Sequence, residues 1–154
     1  MDRDDKLSQD LNCIEFMLLD EYDVPVVYED GGENEYWFDP SDPDDTGVVV
    51  IDSSADLLQQ LFVLLHEAGH VILRNNKESF KKRFPEQERQ TQSGRVEILR
   101  EEVAAWEEAQ KLIDKFAIDK SLHFSTCAWK NNYRDALILY SAWVEKGDSN
   151  VSSD

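Results

Sequence analysis

Residues 66–70 read His-Glu-Ala-Gly-His, two imidazoles four positions apart with a carboxylate beside the first. On a helix, positions i and i+4 share a face, so both rings can reach one metal ion. Glu67 projects next to them, where it can hold a water at the metal without ligating it. That is the equipment of metal-assisted hydrolysis. A random chain of this size contains the H-E-x-x-H pattern with a probability on the order of one in several hundred, so context decides its meaning. Here it lies inside the strongest helical segment and holds two of the chain's three histidines. The ordinary alternative is a pair of core histidines hydrogen-bonded beside a glutamate. It would bury His66, Glu67 and His70 within one short stretch, which is expensive without a metal.

A zinc site of this kind needs a third protein ligand and leaves a fourth position open for water. His123 is the remaining histidine. The other source is a carboxylate on the helix predicted over 96–117, where periodicity selects one position. Ile98, Ala105, Ala109, Leu112 and Phe116 form an inward stripe with one position missing, and that position is Glu102. Glu102 is therefore the expected third ligand, with His66 and His70. Glu101 falls with Glu97, Ala104 and Glu108 on what reads as a solvated face, and stands in reserve.

The elements that must position these residues can be read in outline. A helix is predicted over 7–21 from the spacing of Leu7, Leu11, Ile14, Met17 and Leu18. Residues 22–28 are rich in β-formers, with Pro25 marking an edge strand or a strand start. A short strand is expected at 35–38, after a Gly31-Gly32 turn, and an acidic loop at 39–47. That loop lacks the twelve-residue calcium pattern and reads as a solvated turn. Val48–Ile51 fits a strand covered on both faces. Ser53-x-x-Asp56 offers a capping box for a helix from about Ala55 to Arg74, which carries the motif and is apolar nearly all round. Residues 75–96 read as a long loop or broken helix, and 131–144 as a last helix. The expectation is one domain over 1–146, with a disordered tail at 147–154.

Charge is distributed unevenly. The 154 residues carry a formal net charge of −17. Residues 1–56 hold 18 acids against Arg3 and Lys6, while residues 57–154 hold 15 acids and 14 bases. Such a balance disfavours a sequence-independent grip on nucleic acid or an anionic membrane surface. No apolar run approaches the roughly 20 residues that span a bilayer. The start of the chain lacks a basic-then-apolar signal, and Cys13 and Cys127 make neither a metal spacing nor a disulfide framework. Two reduced thiols in a cytoplasmic protein are the expectation. Arg74, Lys77, Lys81, Lys82, Arg83, Arg89 and Arg95 cluster between the two metal-binding helices. A solvated connector is the ordinary reading of such a run, and a lid or recognition loop close to the metal is the sharper one.

The layout resembles the gluzincin type of zincin metalloprotease, and within it the ImmA/IrrE family of small intracellular metallopeptidases. In that family a β-rich N-terminal part precedes a helix bearing H-E-x-x-H, and a later helix supplies a glutamate within a pattern like E-A-N-x-F-A. The similarity runs over roughly residues 45–117. His66, Glu67 and His70 match directly, and Glu102 and Trp106 match the glutamate and the aromatic four residues on. The Asn position is Ala104 and the first Ala is Val103, and the usual Leu-Leu-x-Pro is absent after Leu112-Ile113. The resemblance implies an α+β zincin-like domain, a short sheet packed against an active-site helix and further helices. It also implies zinc-dependent cleavage of a protein or peptide substrate.

In such an enzyme Glu67 is the base that moves the proton from water to the leaving nitrogen. A further donor is needed for the oxyanion, and His123, Tyr133 and Tyr140 are the candidates. Of these His123 is taken as the catalytic partner of Glu67. A reading from a different class is a catalytically silent zincin-fold module. It would use the acidic N-terminal third to engage a basic protein or to mimic DNA.

Overall fold

The computed structural model describes residues 2–120 and 123–148. In chain order it contains α1 (Arg3–Tyr22), β1 (Val26–Glu29), β2 (Glu35–Trp37), β3 (Val48–Asp52), α2 (Leu57–Arg74), α3 (Lys77–Arg83), α4 (Gln92–Lys115), a 3-10 turn at Ile118–Lys120 and α5 (Thr126–Lys146). This is the mixed α+β architecture the sequence predicts. No helix among the described residues is long and apolar enough to cross a membrane.

The stripe Leu7, Leu11, Ile14, Met17 and Leu18 is buried along α1. The helix ends where Asp23 adopts a left-handed conformation (φ 57°) and its amide bonds back to Leu18 and Leu19, a common way to stop a helix. That reversal lies inside the segment read as strand, so β1 begins only after Pro25. β3 is the central strand, parallel to β1 and antiparallel to β2. Val49 and Ile51 are fully buried while Val48 and Val50 are half-buried. The expectation that both faces of β3 are covered therefore fails. The helices cover one face, and the alternation is that of a one-sided mixed sheet.

Helix α2 runs through the middle. Leu61, Leu64, Leu65 and Ala68 are fully buried, each leucine contributing about 1.5–3 kcal/mol of burial. Its N-cap is Asp56, whose side chain accepts from the Gln59 amide at 2.8 Å. The capping box with Ser53 does not form, because the Ser53 hydroxyl donates instead to Asp30 at 2.7 Å. The segment read as a loop or broken helix contains α3, capped by Asn76. It then reaches α4, which starts at Gln92 rather than near 96. Thr91 caps that start. Gly94 fits there because a Cβ would strike the Glu88 backbone. Likewise α5 starts at Thr126, capped by Ser125, and not near 131. Of the tail read as disordered, residues 149–154 lie outside the described residues. Asp148 accepts from Arg89 at 2.9 Å and from the Trp143 indole at 2.8 Å.

The contact that sets the site is between α2 and α4. Gly69, inside the motif, faces the Ala105 carbonyl so closely that a Cβ there would overlap it. With Ala105 and Ala109 fully buried, small residues let the two backbones approach. Replacing Gly69 by alanine must push the helices apart. We expect G69A to cost about 1–3 kcal/mol of stability from overpacking, measured by denaturant unfolding, and to weaken metal binding in the same variant. A stability within 0.5 kcal/mol (roughly the scatter of neutral surface changes) would contradict the packing account.

Candidate metal centre

His66 and His70 lie one turn apart on the last part of α2, and Glu102 lies on the facing stretch of α4. Their ligand atoms converge. His66 Nε2 is 3.3 Å from His70 Nε2 and 3.0 Å from Glu102 Oε2, and His70 Nε2 is 3.1 Å from Glu102 Oε1. Tetrahedral ligands at zinc distances of about 2.0–2.1 Å would stand about 3.3 Å apart. The donor spacing thus fits a small dication held at the centre of the three. The chemistry fits as well. Glu102 Oε2, buried and close to His66, makes no hydrogen bond of proper geometry. Two ring nitrogens and a carboxylate aimed at one point suit a cation held between them.

Each ligand is fixed by a different device. His70 Nδ1 is 2.6 Å from Glu101 Oε2, a pairing that sets the tautomer and leaves Nε2 for the metal. Glu101 in turn accepts from Arg74 Nε at 2.9 Å and Nη2 at 2.6 Å, and from the Gln87 amide at 2.9 Å. His66 is held by stacking on Trp106, with ring centroids 4.2 Å apart, and its Nδ1 has no hydrogen-bond partner. Trp106 is backed by Trp129 and Tyr133 of α5.

The placement of Glu101 corrects the reading of that residue. It is 4% exposed, not solvated. The reason is tertiary: Arg74 at the end of α2 and Gln87 of the following loop cover a face that α4's own periodicity would leave open. The polar connector therefore contributes to the site, and Arg89 also lines its cleft. Arg74 and Gln87 escape sequence reasoning, because one closes a basic run and the other lies in a polar loop. A second acid directly beside the expected ligand Glu102 is the signal in the sequence that points to Glu101 and to a basic partner for it.

Electrostatics follow from this packing. Burial opposes protonation of His70, but hydrogen bonds to Glu101 and Glu102, with the charges of Glu102 and Glu67, outweigh it and raise its pKa well above the ordinary imidazole value. Burial would lift Glu101, yet His70 and Arg74 hold it down at about 2. Glu102 is likewise depressed, the histidines overcoming its burial. Glu67 goes the other way: burial raises it above the usual carboxylate range against the pull of His70 and His66. Its Oε2 accepts the Tyr36 backbone amide at 2.9 Å, so the edge strand β2 holds the carboxylate in place.

These groups line a cleft of about 600 Å³ together with Tyr140 of α5. Burial and the nearby charge of Glu102 raise the Tyr140 pKa and keep it a proton donor. Tyr133 packs on Trp106 behind the ligands. His123 is not among the residues that line the cleft. Its neighbour Phe124 anchors that segment against Phe62 and Trp129, one turn before His66.

A model of the peptidase M78 family, described as the IrrE N-terminal-like domain, matches residues 19–108. That is more than half of the chain, and the chain belongs to this metallopeptidase family. The match takes in β1, β2 and Glu102, and it ends before His123 and Tyr140. No curated protein and no solved structure matches the chain.

Two outcomes follow from the arrangement. Glu101→Ala should lower metal affinity about 10–100-fold while leaving one ion bound at saturation, as measured by competition with a chromophoric chelator. An unchanged affinity would remove Glu101 from the site. Metal affinity should also rise with pH. A ligand imidazole must be neutral, and the raised pKa of His70 keeps it protonated to higher pH than a free histidine. Loading then expels a proton, which calorimetry in buffers of different ionisation enthalpy will detect. Buffer-independent heats would contradict this.

Proposed function

We propose that this protein is a zinc-dependent endopeptidase that hydrolyses peptide bonds of a specific intracellular protein. The observation that carries the reading is the convergence of His66, His70 and Glu102 at tetrahedral spacing, beside a Glu67 held by the Tyr36 amide. His66, His70 and Glu102 would hold the zinc, which in such a site polarises the scissile carbonyl and makes water a better nucleophile.

The remaining steps belong to the chain. Glu67 takes the proton from the attacking water and delivers it to the leaving amide nitrogen. Its burial raises its basicity in the direction that this role needs. Tyr140, reaching into the cleft from α5 and kept protonated, donates to the oxygen that gains charge. The free edge of β2 runs along the cleft, and an extended substrate can lie against it. Cys13 and Cys127 are both unpaired and exposed, which supports a reducing, cytoplasmic setting. The acidic surplus of residues 1–56 favours a basic rather than an acidic protein substrate.

The test separates binding from chemistry. With zinc stoichiometry unchanged, Glu67→Gln should lose about 10²–10⁴ in kcat against a proteome-derived peptide library. Tyr140→Phe should lose about 10²-fold in kcat with little change in KM. A chelator should abolish cleavage and added zinc restore it. Stoichiometric zinc with no cleavage by the wild type would replace the enzyme by a binding module.

A further inference from the structure

A second cavity, of about 550 Å³, adjoins the metal cleft. The two share Tyr36, Phe38 and Arg74 as walls. Arg74 is the partition: its guanidinium bonds Glu101 on the metal side and lies over the rings of Phe38 at 5.1 Å and Phe80 at 4.3 Å. Beyond it the cavity is bounded by Val24 and Val71, both buried, and by the acidic loop.

Most polar groups of this cavity are already engaged. Asp39 accepts from the Ser41 amide at 2.9 Å and hydroxyl at 2.6 Å. Asp45 accepts from the Asp39 amide at 2.7 Å and the Gly47 amide at 3.0 Å. The Tyr36 hydroxyl donates to the Thr46 carbonyl, and the Lys77 ammonium donates to the Pro43 carbonyl. What remains open to a ligand is mainly aromatic and aliphatic surface, with the Tyr22 hydroxyl on the wall and Asn75 and Lys81 at the exposed rim. A bulky uncharged group suits the interior of such a site, since a charge carried in past the Lys81 rim would lose its water.

Its position says where the group comes from. Tyr36 presents its backbone amide to Glu67 and its ring to the cavity. A polypeptide extended along β2 sends alternate side chains to opposite faces, and a residue beside Tyr36 on the same face meets the cavity mouth. We propose that this cavity receives an aromatic or branched apolar side chain of the polypeptide held at the metal centre, and so sets the preference for the residue beside the bond that is cut. The proposal rests on the peptidase reading only for the identity of the chain in the cleft.

Asn75 and Phe80 line the cavity outside the metal site, and Asn75 is exposed at the C-cap of α2. Asn75→Trp narrows the cavity and Phe80→Ala widens it. Binding of N-acetyl-phenylalanine amide and N-acetyl-alanine amide to the full chain is followed by NMR, and peptides with Phe, Leu or Ala beside the cleaved bond are compared for kcat/KM. The wild type should favour the phenylalanine amide at least about tenfold, with shifts at Tyr36, Phe80 and Thr46, and cut Phe and Leu peptides correspondingly faster than Ala. Asn75→Trp should abolish that preference while cutting the Ala peptide at the wild-type rate. Phe80→Ala should weaken the phenylalanine amide alone.

Equal binding of the two amides by the wild type, or wild-type preference in both variants, overturns the proposal. Selective binding without any cleavage keeps the cavity and removes the peptidase reading. Cleavage without side-chain selectivity does the reverse.

Discussion

Helices α2 and α4 meet backbone to backbone at Gly69 and Ala105, and the metal centre depends on that approach. One helix carries two imidazoles and the other a carboxylate, and the donor atoms converge only if the axes come closer than ordinary side chains permit. Gly69 sits between Glu67 and His70 of its own motif, so a single position serves both the packing and the placement of the motif. The surrounding core acts through this contact. α1 and the sheet press α2 from one side, and α5 presses α4 through Trp129 and Trp106.

Around the three ligands the structure adds an asymmetric outer layer. His70 is fixed by a carboxylate that is itself clamped by Arg74 and Gln87, so a chain of charge-assisted bonds runs from the metal ligand to the connector. His66 is fixed by aromatic stacking alone. Hydrogen-bonded support also tunes charge, whereas a stacked ring restricts only orientation. Arg74 belongs to both the metal cleft and the apolar cavity beside it. A side chain bound in that cavity lies one residue removed from the bond that orients His70.

Much of this was legible in the sequence, for a physical reason. His66, Glu67 and His70 follow from helical spacing, and Glu102 from a gap in an apolar stripe; both are local rules. The α+β class and the order of the elements followed from the same periodicities. Helix starts were missed where Thr91 and Ser125 cap polar segments that carry no apolar stripe. The solvated reading of Glu101 failed because its cover comes from Arg74 at the end of α2 and Gln87 of the connector, which meet it only in the folded chain. His123 was taken ahead of Tyr133 and Tyr140, since only the packing of α5 on α4 shows that Tyr140 lines the cleft.

The central claim is that His66, His70 and Glu102 together hold one zinc with a position left for water. X-ray absorption of the zinc-loaded protein tests it most directly. The predicted result is one zinc per chain with four nitrogen or oxygen ligands at about 2.0–2.1 Å and the multiple-scattering signature of two imidazoles, reduced to one in a His66→Ala variant. A zinc with six oxygen neighbours and no imidazole scattering, or one unaffected by His66→Ala, would contradict the account.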